Sequence, residues 1–407
     1  MASSIIGRGA VCALGHDARS GWNALLAGRD GLSDRVPDGG TLPVQAGWVE
    51  GLRDGYDPLR TDPTVPLGLR AAREALIDAF GADHQGNPNL PDADRAAVVA
   101  AVSKGGVALD GALRDAVRTG RLDNNERFAR WITNVPVSRF ADAIAAEFSL
   151  GGIRRTPVAA CATGPLLLHV ADQLLDETIH PDPPPWILVV SSESSLTSLY
   201  FAAFDALGVL APSGQPMTPF GANRCGFRPG EGASAVVVAR AGAGRRTIAV
   251  VSSAAVGADP SHITTFRRDG QPIVDVARIA LKRARLSPDD VGFINAHATA
   301  TGQNDSTEAS AIREVFGGNA GNIPVSATKP ATGHLLGGSG LLEIIWTTFA
   351  LEERLAPPTL HTAAVSDDCR GIRLTTDGAE MIDSNKAALS WNFGFGGHIG
   401  VALLARG

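Results

Sequence analysis

The feature that most constrains the fold is an alternation, run through twice, of short apolar stretches with stretches of helical spacing. Residues 186–191 (WILVVS) and 232–240 (GASAVVVAR) are apolar on both faces, as strands are when helices cover both sides of a sheet. Residues 5–14 and 96–102 read the same way. Between them, residues 66–80 place Leu67, Leu69, Leu76, Ile77 and Phe80 on one helical face with Arg70 and Arg73 outside. After residue 246 the pattern repeats. Strands are expected at 247–256, 291–296, 324–327, 387–391 and 399–405, and helices at 275–284, 307–316 and 337–351. This predicts an α/β fold with helices on the sheet faces. A Gly-rich break at 242–245 divides the chain into residues 1–243 and 244–407. Periodicity alone does not say how the two halves pack.

Composition excludes several classes. With 44% hydrophobic and 19% charged residues, the chain has the make-up of a globular protein rather than a disordered one. A net charge of −6 without a long basic run argues against nucleic acid as a partner. The four cysteines, Cys12, Cys161, Cys225 and Cys369, form no CxxC pair. That speaks against a disulfide framework and a zinc site, and for a reducing, cytoplasmic setting. No apolar run reaches the ~18–20 residues that a membrane-spanning helix needs.

Cys161 stands at the centre of RTPVAACATGPLLLHVADQLLDE. An extended run over 156–160 ends at the cysteine, small residues follow, and a helix is expected over 165–177. A nucleophile on a tight strand-to-helix turn needs small neighbours, and the helix dipole would favour its thiolate. A buried structural cysteine explains this stretch equally well.

Three other segments tip the balance. VGFINAHATATGQNDSTEAS puts His297 directly after a buried strand, with Thr299, Thr301, Asp305 and Glu308 following. Loops past strand ends are where α/β proteins assemble sites. VSATKPATGHLLGGSG carries Lys329 and His334 before a Gly-rich turn, and WNFGFGGHIG holds Phe393, Gly394, Phe395 and Gly396 in an aromatic turn. Singly, each has a structural explanation. Together, one turn cysteine, two strand-end histidines and a nearby lysine point to chemistry.

These segments resemble the β-ketoacyl-acyl-carrier-protein synthases of the Cys-His-His class, within the thiolase superfamily. The similarity rests on ACATG at 160–164, HATAT at 297–301, KPATGHLLGGSG at 329–340, NFGFGG at 392–397 and RCGFRPGEGA at 224–233, in the family's order. It implies a thiolase-like fold of two pseudo-repeated βαβαβαββ halves in five α/β/α/β/α layers, dimerised with itself or a related subunit. Cys161 would accept the acyl group, with the backbone N–H groups of Cys161 and Phe395 as oxyanion hole and Phe395 as gate. His297 and His334 would stabilise the enolate from a decarboxylating malonyl thioester. Lys329 and Glu308 would form a buried ion pair orienting His334. Thr299 and Thr301 would bind the phosphopantetheine arm, with Phe393, Gly394 and Gly396 also lining the substrate path. No metal or separate cofactor is implied, since phosphopantetheine arrives on the substrate carrier.

The departures point to a specialised synthase for fatty-acid or polyketide-type chains. Cys225 stands where relatives usually carry Asp, His398 where they carry Thr, and Ala298 where they carry Gly. Asp205 occupies a position where many place an Arg that contacts the acidic carrier protein, which leaves Arg70 and Arg73 as the basic docking candidates. An acyltransferase that skips decarboxylation uses the same cysteine, and a non-elongating partner subunit typically loses it.

Overall fold

The apolar runs become strands and the spaced stretches helices, in one succession used twice. The computed structural model describes residues 3–52, 57–242, 245–383 and 385–407; the expected junction at Ala243 and Gly244 lies outside the described residues. The first half builds β1 (Ser3–Cys12), α1 (Thr64–Phe80), β2 (Ala97–Val102), α2 (Ser138–Glu147), β3 (Arg154–Arg155), α3 (Thr163–Leu175), β4 (Ile187–Glu193), α4 (Ser198–Ala206) and β5 (Gly232–Arg240). The second builds β6 (Ala249–Ala258), α5 (Gln271–Ala284), β7 (Val291–Asn295), α6 (Gly302–Phe316), β8 (Pro324–Ser326), α7 (Ser339–Glu353), β9 (Arg373–Leu374), β10 (Ala387–Gly394) and β11 (His398–Arg406).

Strand order shows the repeat directly. The first half runs β3-β2-β4-β5-β1 and the second β8-β7-β10-β11-β6, with β9 added at the edge beside β8. In each, the first three strands are parallel and the last two join antiparallel. The halves meet where Ser3–Ile5 of β1 pairs antiparallel with residues 249–251 of β6.

All of these strands make one eleven-stranded sheet, flanked by three apolar cores. One joins α1 and α2 to strands of the first half, and another joins α5 and α6 to strands of the second. The largest takes residues of α3 and α7, which pack together against strands from both halves. Every residue from Ser339 to Leu351 of α7 is buried, as expected of a helix apolar all round. A Cβ on Gly164 of α3 would lie 2.3 Å from the backbone of Gly340 and Leu341 in α7. Only glycine there lets the two central helices touch at their N-terminal ends.

Two expectations fail locally. The extended run expected over 156–160 forms no strand: residues 156–159 are irregular, Ala160 opens a helical turn, and only Arg154–Arg155 just before it pair into the sheet. Pro157 offers no N–H to a ladder, and the chain is already bending toward the turn. The stretch 199–223, where no helix was expected, opens with α4, in which only Phe204 is buried. Among the described residues no helix is long and apolar enough to cross a membrane.

Candidate active site

Cys161 sits in a single helical turn, Ala160–Ala162, that leads straight into α3. Ala160 is held at φ 46°, a left-handed conformation that costs an L-residue about 1–2 kcal/mol. Thr163 fastens the turn: its hydroxyl accepts from the Ala159 N–H at 3.0 Å and donates to the Ala160 carbonyl at 2.7 Å. The end of β10 closes on the same turn, since a Cβ on Gly394 would stand 2.9 Å from the Cys161 nitrogen. Burial pushes the Cys161 thiol up to about 11, against the opposing pull of Lys104 and Lys329. The low-pKa thiolate expected from the helix dipole is therefore outweighed by desolvation.

The second half brings two histidines to this cysteine. His297 follows the end of β7 and His334 lies in the loop before α7; both line the same cavity of about 280 Å³ as Cys161. Their ring centres are 5.5 Å apart. At His297, the Asn392 amide N–H faces Nδ1 at 3.5 Å. At His334, Nδ1 accepts from the Leu336 N–H at 3.3 Å and lies 2.9 Å from the Ser339 hydroxyl. With both Nδ1 atoms met by donors, the proton of each neutral ring resides on Nε2. Burial first, then the charge of Lys329, holds both histidines well below the usual imidazole range. The site therefore offers two neutral N–H donors near one thiol.

Behind the histidines lies a buried charge network that differs from the expected one. Lys329 pairs with Glu343 of α7 at 2.5 Å, and its ammonium also donates to the His297 carbonyl. Glu308 is not its partner. The Glu308 carboxylate instead accepts from the backbone N–H groups of His297 at 2.6 Å and Ala298 at 2.7 Å, and from the Trp391 indole at 2.7 Å. It braces the loop, since these three N–H donors and the Asn304 amide at 3.4 Å converge on it. Burial and then Asp305 push its pKa up to about 7. Neither Lys329 nor Glu308 is among the described residues lining the cavity; both lie behind its histidines.

The remaining expected residues divide. Thr299 and Thr301, with hydroxyls 3.0 Å apart, line a polar flank with Thr264, Gln303 and Asn304. Phe393, Gly394 and Phe395 also line the cavity. Gly396 is not among the described lining residues; its N–H donates to the Ile263 carbonyl at 2.6 Å. Arg73 pairs with Glu147 at 3.1 Å, and Arg70 donates to the His16 carbonyl. Asp205 is exposed on α4, and Cys225 is half-buried.

Sequence reasoning missed Glu343 and Lys104. The first is a lone carboxylate inside the apolar run LLEIIW; the second follows the β2 run, in AVSKGG.

Comparison with known proteins gives the family. The family model for the β-ketoacyl synthase N-terminal domain matches residues 4–243, and that for the C-terminal domain matches residues 248–363. The 3-oxoacyl-acyl-carrier-protein synthase 2 of Rhizobium meliloti (strain 1021) is 30% identical over 431 residues, spanning 99% of this chain and 98% of that protein. Its counterpart from Coxiella burnetii (strain RSA 493 / Nine Mile phase I) is 29% identical over 421 residues, with the same coverage. A ketosynthase solved in complex with its type II polyketide acyl-carrier protein and bound to the hexaketide superposes with a TM-score of 0.84. It covers 100% of this chain and 99% of its own at 23% identity, a likeness of fold. With both domain models matched and a full-length relative at 30% identity, the chain belongs to the β-ketoacyl synthase family.

Proposed function

We propose that the protein performs a decarboxylative condensation between an acyl group on Cys161 and a malonyl thioester on an acyl carrier protein. The first half, residues 1–243, supplies the nucleophile; the second, residues 244–407, supplies His297, Lys329 and His334. In the first step the Cys161 sulfur adds to the acyl thioester carbonyl and the carrier thiol leaves, taking the proton that Cys161 loses. Backbone N–H groups of Cys161 and Phe395 stabilise the oxyanion, where each such donor is typically worth ~3–4 kcal/mol of barrier. In the second step the malonyl carboxylate leaves as carbon dioxide, and its bonding pair passes into an enolate held by the two Nε2–H donors. The enolate carbon attacks acyl-Cys161, the sulfur departs, and a β-ketoacyl thioester two carbons longer remains on the carrier.

The observation that carries this reading is the pair of neutral histidines facing one cysteine, with both Nδ1 atoms already met by donors. An enolate oxygen forming there needs donors that do not themselves have to change protonation state. Phosphopantetheine enters with the substrate along the threonine flank, so no separate cofactor is required. Arg70, the more exposed of the two helix arginines, is the first candidate for carrier docking. We place the protein in the cytoplasm, working as a dimer with a second copy or a related subunit. The test supplies acyl carrier and isotopically labelled malonyl carrier. Labelled carbon dioxide with a product two carbons longer is the expected result. Acyl-Cys161 without carbon dioxide would make the protein a simple acyltransferase, and no acylation would leave it a non-elongating subunit.

A further inference from the structure

One charged group in the cavity is assigned no step of the condensation, although its charge favours the Cys161 thiolate. Lys104, immediately after β2, lines the cavity beside Cys161, Phe204 and Phe227. Its flank is the apolar one. Tyr200, Phe204 and Phe227 follow one another with ring centres 6.1 and 5.6 Å apart, ending 5.1 Å from the His334 ring. Cys161 packs against this cluster, and the Lys104 ammonium lies 5.3 Å from the Tyr200 ring. Lys104 therefore stands in the aromatic arm of the cavity, against which an acyl chain on Cys161 would lie.

The ammonium is fixed but not saturated. It donates to the Ser103 hydroxyl at 2.6 Å and to Glu193 at 3.3 Å. Glu193 is buried and also accepts from the hydroxyls of Ser103 and Ser195. Its carboxylate is thus occupied on both oxygens, and it holds the lysine in place. An ammonium has three N–H donors; among the described residues two partners account for two of them. A fully reduced acyl chain filling this arm would strip water from the third and give nothing back, whereas an oxygen acceptor would restore its hydrogen bond.

We propose that Lys104 is a specificity residue, donating a hydrogen bond to an oxygen on the acyl chain carried by Cys161, so that oxygenated chains are taken in preference to fully reduced ones. The proposal rests on the acyl-Cys161 reading above. The oxygen is a ketone or a carboxylate, since both accept from an ammonium. A ketone oxygen is what a condensing system leaves when its β-keto products are passed to the next round unreduced, so the reaction supplying this substrate would be another condensation without reduction.

The experiment measures the rate of Cys161 acylation by intact-protein mass spectrometry. It compares 5-oxohexanoyl, 7-oxooctanoyl and glutaryl thioesters with hexanoyl and octanoyl. In the wild type at least one oxygenated chain is expected to exceed its reduced counterpart by about tenfold or more, as for a site built around a charged donor. The ketone and carboxylate arms separate the two oxygen sources. In Lys104→Met, which keeps the length and removes the donor, the ratio should fall to within about twofold. Lys104→Met/Glu193→Gln should behave alike and covers the case in which an unpaired Glu193 unfolds the single variant. Because the readout is a ratio within each protein, a general loss of stability does not imitate it. Equal rates for oxygenated and reduced chains in the wild type, or a ratio that survives both variants, overturn the proposal while leaving the acyl-enzyme intact. No label from any thioester overturns the acyl-Cys161 reading and this proposal with it.

Discussion

A lysine that is 1% exposed keeps its charge inside a protein only when a partner meets it, and Glu343 does so at 2.5 Å while also accepting from Asn392. Glu343→Gln removes half of that arrangement and leaves Lys329 a buried cation under the His297 carbonyl. We expect a loss of about 3 kcal/mol in urea unfolding, with acylation of any folded protein largely retained and condensation impaired. The histidines carry a pH signature. Folding holds both neutral, whereas the unfolded chain protonates them below about 6.5. Their contribution to stability is therefore full above that value and lost as pH falls through their depressed folded values. For the same reason the acid limb of condensation against pH should show no break near 6.5. A break there would mean that one ring titrates normally. Cys161, with its thiol at about 11, should react with iodoacetamide about tenfold faster per pH unit from 7 to 9. A plateau near neutrality, mapped to Cys161 rather than Cys225, would count against the burial reading.

At the scale of elements the decisive contact is between the N-terminal ends of α3 and α7. Gly164→Ala would set a methyl 2.3 Å from the backbone of α7, and neither buried helix has room to retreat. The expected cost is about 1–3 kcal/mol, read as a shift of the urea midpoint, together with slower acylation, because α3 carries the Cys161 turn. What could be read from sequence follows element type. The strands were legible because runs such as Val236–Val238 of β5 are apolar on both faces. The helix α4 was not: Leu199 is 72% exposed and only Phe204 is buried, so SLYFAAFDA shows no stripe of helical period. Cys161, His297, His334 and Lys329 stood out because their flanking motifs are specific. Glu343 did not, because α7 is buried all round and periodicity assigns no direction to its one central carboxylate. Which carboxylate meets Lys329 is a fact of packing between α7 and the loop before it, and no local spacing records it.

For the whole molecule, the two halves repeat one strand order but share the core between them. The central layer takes α3 from one half and α7 from the other. A fragment ending near residue 246 would expose the inner face of its sheet and one side of α3, an apolar surface far larger than soluble monomers leave uncovered. Expressed alone it should aggregate or bind a hydrophobic dye, and co-expression with the remaining residues should restore acylation. A soluble, cooperatively unfolding fragment would show that the first half is self-sufficient.

The glycine contact between the central helices has a consequence for recombination. Cys161 hangs from one helix and His334 from the approach to the other, so their spacing is set where Gly164 meets Gly340. Exchanging one half for that of a distant relative would exchange one side of this contact without the other. Hybrids built that way should lose carbon–carbon bond formation before they lose acylation, and grafting both glycine-bearing turns from one parent should restore it. The natural unit of exchange is then the facing pair of turns rather than either repeat.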